Sequence, residues 1–120
     1  MTTPTVRQTE NIPPVIAAED RSDLPVEHSS LIRRLQSLKS ALAICGVQAL
    51  YLYGSYARGE ADAYSDIDVF VDHGAGFSLL DLVRVQHLIE SEFDVHADVT
   101  TRGSLGAIKD SAERDAVRVF

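Results

Sequence analysis

Two aspartates interrupt a run of strand-forming residues. Asp66 and Asp68 flank Ile67, and Val69, Phe70 and Val71 continue the apolar stretch. In an extended strand, residues two apart project from the same face. This spacing therefore sets the two carboxylates side by side. Adjacent carboxylates repel, and each raises the other's pKa unless a cation neutralises them. Mg²⁺ suits such a pair, because it prefers oxygen ligands and is commonly held by one or two carboxylates together with substrate phosphates. Upstream, with residues 56–65 between, Gly54 and Ser55 follow another hydrophobic run, Val47 to Tyr53. Glycine lets the backbone turn sharply and lets a phosphate come close. A turn from strand to helix presents backbone N–H groups that suit an anion. Ser55 can add a hydroxyl donor to that phosphate. A phosphate cradle joined to metal-holding carboxylates points to phosphoryl or nucleotidyl transfer.

Other residues near these have two readings each. Arg58, four past Gly54, can neutralise phosphate charge or form a surface ion pair with Glu60 or Asp62. Tyr56 and Tyr64 can stack on a base or simply pack at an edge.

The elements that must position these groups follow from periodicity. Leu31, Leu35, Leu38, Leu42 and Cys45 recur at helical spacing, which predicts one helix from Ser29 or Ser30, capped by a serine, to Gly46. Arg33, Arg34, Gln36, Lys39 and Ser40 lie off the stripe and form a solvated face. Val47 to Tyr53 is a strand, and Asp66 to Val71 is a second, with Asp72 opening a loop and standing outside the site. Ser78 caps a helix through about Phe93, with an apolar face of Leu79, Leu82, Val83, Gln86, Leu88, Ile89 and Phe93. His87 on it is structural or exposed. Asp94 to Thr100 reads as a third strand, with Asp94, His96 and Asp98 on one face. A helix from about Ser104 to Ala112 follows, with Leu105, Ile108 and Ala112 together. Val117, Val119 and Phe120 form a short strand or tuck under the sheet. The pattern is α/β (α+β): a small mixed sheet with helices packed mainly on one face.

Length and composition set the boundaries. A chain of 120 residues is one domain. All 4 prolines (Pro4, Pro13, Pro14 and Pro25) fall in residues 1–27, which read as a flexible N-terminal arm; within it Ile12, Val15 and Ile16 offer apolar contacts. Residues 28–120 form the folded domain. A net charge of -7 disfavours nucleic acid as the direct partner, since that binding relies on Lys and Arg neutralising phosphates. It steers a basic protein partner towards the chain. One cysteine, Cys45, forbids an intrachain disulfide and fits a reducing compartment. No apolar run approaches membrane-spanning length, and no signal-peptide pattern opens the chain, so a cytoplasmic location is expected.

Gly54, Ser55, Ala57, Arg58, Gly59, Ser65, Asp66, Ile67 and Asp68 resemble the signature of the DNA polymerase β-like nucleotidyltransferase superfamily: Gly-Ser, a spacer, then Asp-x-Asp. Within it the resemblance is to the minimal nucleotidyltransferases (MNT, MntA-type), and it covers roughly residues 29–120. It implies the nucleotidyltransferase fold. It also implies a third carboxylate on a later strand within a hydrophobic-Asp-hydrophobic segment. Asp98, between Ala97 and Val99, matches that pattern, and Asp94 is the alternative of the same parity. The resemblance assigns Asp66, Asp68 and Asp98 to metal binding and chemistry, with two Mg²⁺ ions, and Gly54, Ser55 and Arg58 to the nucleotide. ATP is the implied donor. The implied partner is a HEPN-domain ribonuclease toxin, AMPylated on tyrosine in a hetero-oligomer, which would make this chain a type VII-like antitoxin. A binding-only antitoxin and a small-molecule, aminoglycoside-like nucleotidyltransferase remain as alternatives.

Overall fold

The computed structural model describes residues 28–120. The proline-bearing arm, residues 1–27, lies outside them. The first apolar stripe forms two helices rather than one, α1 (His28–Gln36) and α2 (Lys39–Ile44). The break has a local cause. The Ser37 hydroxyl donates to the Arg34 carbonyl at 2.5 Å, and the Leu38 N–H reaches only back to Leu35. Serine side chains compete with the helical ladder in this way. The stripe survives the break: Leu31, Leu35 and Leu42 are fully buried, and Leu38 and Cys45 pack against them. Gly46, at φ +102°, turns the chain out of α2.

Strand β1 (Val47–Tyr53) has the expected bounds. Strand β2 runs Ile67–His73, starting one residue later than expected and ending two later. Asp66 therefore stands just before it. Asp72 and His73 are drawn in by pairing with Ala49 and Val47 of β1. A single turn of helix, α3 (Gly54–Ala57), joins the β1 end to the loop before β2. Helix α4 (Leu79–Phe93) opens with a reciprocal capping box, in which Ser78 Oγ accepts from the Asp81 N–H and the Asp81 carboxylate accepts from the Ser78 N–H. Its core row is Val85 and Ile89, with Leu88 and Phe93 alongside. Val83 is 37% exposed and Leu79 is exposed too. Two residues correspond to about 200° of helical rotation, so Val83 and Val85 cannot both face the sheet.

Helix α4 carries the chain across to β3 (Ala97–Thr101), which pairs parallel with β2. The expected helix at 104–112 is replaced by two 3₁₀ turns, Arg102–Ser104 and Gly106–Ile108, followed by α5 (Lys109–Asp115). Gly106 has φ +61°, which a continuous right-handed helix does not accommodate. Strand β4 (Val117–Arg118) then pairs antiparallel with the middle of β1. The sheet order is β3-β2-β1-β4.

The two faces of this sheet differ. Leu50, Leu52, Ile67, Val69, Val71 and Ala97 project onto one face and pack against α1, α2 and α4. Tyr51, Tyr53 and Phe70 project onto the other, where Leu105 and Ala112 cover them. Arg102 fastens this second face. It holds Asp72 with two hydrogen bonds at 2.8 and 3.0 Å and Glu113 at 2.7 Å, and its guanidinium lies 4.8 Å from the Tyr51 ring centroid and 5.0 Å from that of Phe70. Arg102 thereby holds the Asp72 carboxyl below the usual carboxylate range. Arg34 is likewise engaged rather than simply solvated: it donates to the Glu92 carbonyl at 2.6 Å and stacks 4.3 Å above Phe93. No helix among the described residues is long and apolar enough to cross a membrane.

The α4 orientation gives a direct test. Val85→Ala removes two methyls from a fully buried position and should destabilise the domain by about 1.5–2.5 kcal/mol in urea denaturation. Val83→Ala should stay within about 0.5 kcal/mol of the parent. The reverse order would contradict the helix orientation.

Candidate active site

The site lies on the second face, where β1 ends, β2 begins and β3 runs beside it. Tyr53 closes β1 in an extended conformation, and Gly54 then takes φ +74° to enter α3. The turn presses against Asp68. A Cβ built on Gly54 would sit 2.4 Å from Asp68 Oδ2, so glycine is required both by the dihedral and by the contact. Ser55 is half-buried on the first turn of α3, where backbone N–H groups lack intrahelical acceptors. Its hydroxyl makes no hydrogen bond with another described residue, and its carbonyl accepts from the Glu60 N–H at 2.8 Å.

Ladder register brings the carboxylates together. Asp68 lies opposite Tyr53 on one side and directly beside Asp98 on the other. Asp66, two residues before Asp68, adds a third acid at the mouth. Asp94 is not part of this group. It caps α4 in the left-handed conformation, φ 54° and ψ 34°, with its N–H on the Glu90 carbonyl, and β3 begins only at Ala97. Of the two candidates for the third carboxylate, the fold sets Asp98 against Asp68.

Burial is the largest influence on Asp68. Together with the facing Asp98 and Asp66 it pushes the Asp68 carboxyl up to about 6, and Arg58 and His96 oppose the rise only in part. Among the described residues no three His, Cys, Asp or Glu converge closely enough to hold a metal ion by themselves. Asp66 Oδ2 instead lies 3.4 Å from His96 Nδ1. The donor set nevertheless fits Mg²⁺, which takes one or two carboxylates and completes its shell with waters and substrate phosphates. A cation at the Asp68–Asp98 pair would offset the repulsion between them, which adds to the effect of burial on Asp68.

Arg58 pairs with Glu60 at 2.9 Å and Asp115 at 3.3 Å. The surface-pair reading of Arg58 describes this arrangement, with Asp115 in place of Asp62. One neighbour, Tyr53, escaped notice in the sequence as part of the site. Tyr53 is 8% exposed, and burial, then Asp68 and Asp98, push its phenol up to about 12. The available signal was parity, since Tyr53 faces opposite to Leu52. His96, grouped by parity with Asp98 in the sequence, lies 3.4 Å from Asp66 and 3.9 Å from Glu90.

Two outcomes are expected. Gly54→Ala should lose about 1–3 kcal/mol more than Gly59→Ala, because both start from positive φ but only Gly54 meets Asp68; chemical denaturation of the pair reads the difference. Asp68 is harder to ionise folded than unfolded, so its contribution to stability is present at pH 3–4 and lost as pH rises through about 6. Without metal, Asp68→Asn should therefore gain about 1–2 kcal/mol over the parent at pH 7.5, after solvent screening, and gain nothing at pH 3.5.

Known proteins share the family and the fold. The family model of the nucleotidyltransferase domain matches residues 29–119. A protein of Methanocaldococcus jannaschii that carries the name protein adenylyltransferase is 43% identical over 76 residues, spanning 62% of this chain and 82% of that one. A solved structure described as a minimal nucleotidyltransferase superposes with a TM-score of 0.68 at 28% identity, over 80% of this chain and 98% of that chain. A chain from the complex of the tri-AMPylated Shewanella oneidensis HEPN toxin with its MNT antitoxin shares the fold alone, with a TM-score of 0.58 at 17% identity over 78% and 71% of the two chains. By the extent of the family match and by its Gly-Ser and Asp-x-Asp elements, this chain belongs to the nucleotidyltransferase domain family.

Proposed function

We propose that this nucleotidyltransferase transfers AMP from ATP to a tyrosine hydroxyl of a cognate HEPN-domain ribonuclease toxin, and so acts as a type VII-like antitoxin. The observation that carries the chemistry is the ladder that sets Asp98 beside Asp68, with Gly54 packed against the Asp68 carboxylate. The protein acceptor is supported by the relative named as a protein adenylyltransferase, and the partner by the likeness to an MNT–HEPN complex. The free, half-buried Cys45 fits a cytoplasmic enzyme using cytoplasmic ATP.

Asp66, Asp68 and Asp98 would hold two Mg²⁺ ions. When bound, Mg²⁺ offsets the negative charge of the triphosphate and of the departing pyrophosphate. The chain's own groups do the rest. The α3 entry after Gly54 and the Ser55 hydroxyl orient the triphosphate. Arg58 can turn from its exposed pairs with Glu60 and Asp115 towards phosphate oxygens, since such pairs are weak. Asp98 sits at the open end of the carboxylate row and accepts the proton of the attacking phenol. The phenol oxygen bonds to the α-phosphorus, and pyrophosphate leaves.

The test is intact-mass spectrometry of the HEPN protein after incubation with this chain, ATP and Mg²⁺. A gain of one or more AMP units is expected, together with loss of ribonuclease activity. Asp66→Asn with Asp68→Asn should abolish both. Neutralisation that persists in this double variant, with no mass gain, would show that binding alone silences the toxin.

A further inference from the structure

The chain has 4 tyrosines, Tyr51, Tyr53, Tyr56 and Tyr64, and the fold treats one of them unlike the others. Tyr51 stacks on Phe70 beneath Arg102. Tyr53 is buried beside the carboxylates. Tyr56 is half-buried and packs against the main core. Tyr64 is 94% exposed. It stands two residues before Asp66, on the loop that joins the Gly54-Ser55 turn to the Asp-x-Asp strand. That loop is self-supporting. Asp62 Oδ1 accepts from the Tyr64 N–H at 2.8 Å, Ser65 Oγ accepts from the Asp62 N–H at 2.9 Å, and the Ser65 N–H returns to the Asp62 carbonyl at 3.2 Å. A phenol is thus held outward at the mouth of a site whose proposed acceptor is a phenol.

From this placement we infer that Tyr64 is itself an acceptor, adenylylated by a second copy of this chain. The inference rests on the proposed adenylyltransferase reading and adds a second substrate to it. Because the ring points to solvent, it does not enter its own site, whereas a second copy meeting the mouth encounters it first. Tyr64 Oη bonds to the α-phosphorus of ATP held by the other copy. The bond from that phosphorus to the pyrophosphate oxygen breaks, pyrophosphate leaves with the electron pair, and the phenolic proton passes to Asp98 of the copy holding ATP. A net charge of -7 on each copy opposes a lasting dimer, so the encounter is transient and its rate depends on concentration.

The experiment mixes two variants with ATP and Mg²⁺ and follows intact mass and peptide mapping. Asp66→Asn/Asp68→Asn retains Tyr64 but not the chemistry. Tyr64→Phe retains the chemistry but not the acceptor, and the fully exposed position makes the change harmless to folding. One AMP unit should appear on Tyr64 of the first variant and none on the second. In the parent chain alone, the initial rate should rise about fourfold when concentration doubles, as a second-order step requires. Label on another residue, or equal label in Tyr64→Phe, overturns the inference. So does an unlabelled chain in a reaction that modifies the HEPN protein, and that result leaves the adenylyltransferase reading intact. If neither protein gains AMP, that reading falls and the inference falls with it.

Discussion

The structure depends on holding carboxylates where they repel one another. Asp68 lies between Tyr53 and Asp98 in the sheet, with Gly54 against its oxygen. Burial and the neighbouring acids disfavour an ionised Asp68, and Arg58 and His96 offset this only in part. The hydrogen-bonded ladder fixes the register, and the aliphatic core on the opposite face holds the ladder. The hydrophobic effect there provides the free energy that keeps the strained face assembled. This is the usual relation between a site that departs from local preference and the fold around it.

Much of this was legible in the chain. The alternation of Ile67, Val69 and Val71 with Asp68 and Phe70 determines both the core and the site face of β2, and a reader of the sequence can count it. The Ser78–Asp81 cap and the bounds of β1 are equally local. What stayed hidden depends on contacts made across the fold. Ser37 divides the first helix through a hydrogen bond of its own side chain, which periodicity does not register. Asp94 and Asp98 share strand parity, and only the left-handed turn at Asp94 separates them. Arg34 and Arg102 look like surface charges until Phe93, Asp72 and Phe70 are brought under them.

The second face is built more sparingly than the first. Leu105 and Ala112 cover the aromatic residues, and charged contacts complete the closure. Arg102 ties β2 to α5, and the Arg58–Asp115 pair ties α5 to the segment after α3. Polar contacts of this kind position without the tight interlocking of an aliphatic core, which suits the wall of a nucleotidyl-transfer site.

The alternation in β2 also constrains how the gene can change. Odd positions from Ile67 to Val71 serve stability, and even positions from Asp68 to Asp72 serve the site face. Point substitutions can therefore tune one property while leaving the other nearly untouched. A single-codon insertion or deletion within the strand exchanges the two sets together, turning acids into the core and aliphatics into the site. Drift by substitution is open to this segment, and drift in length is closed to it. Change in length is confined to the loops on either side.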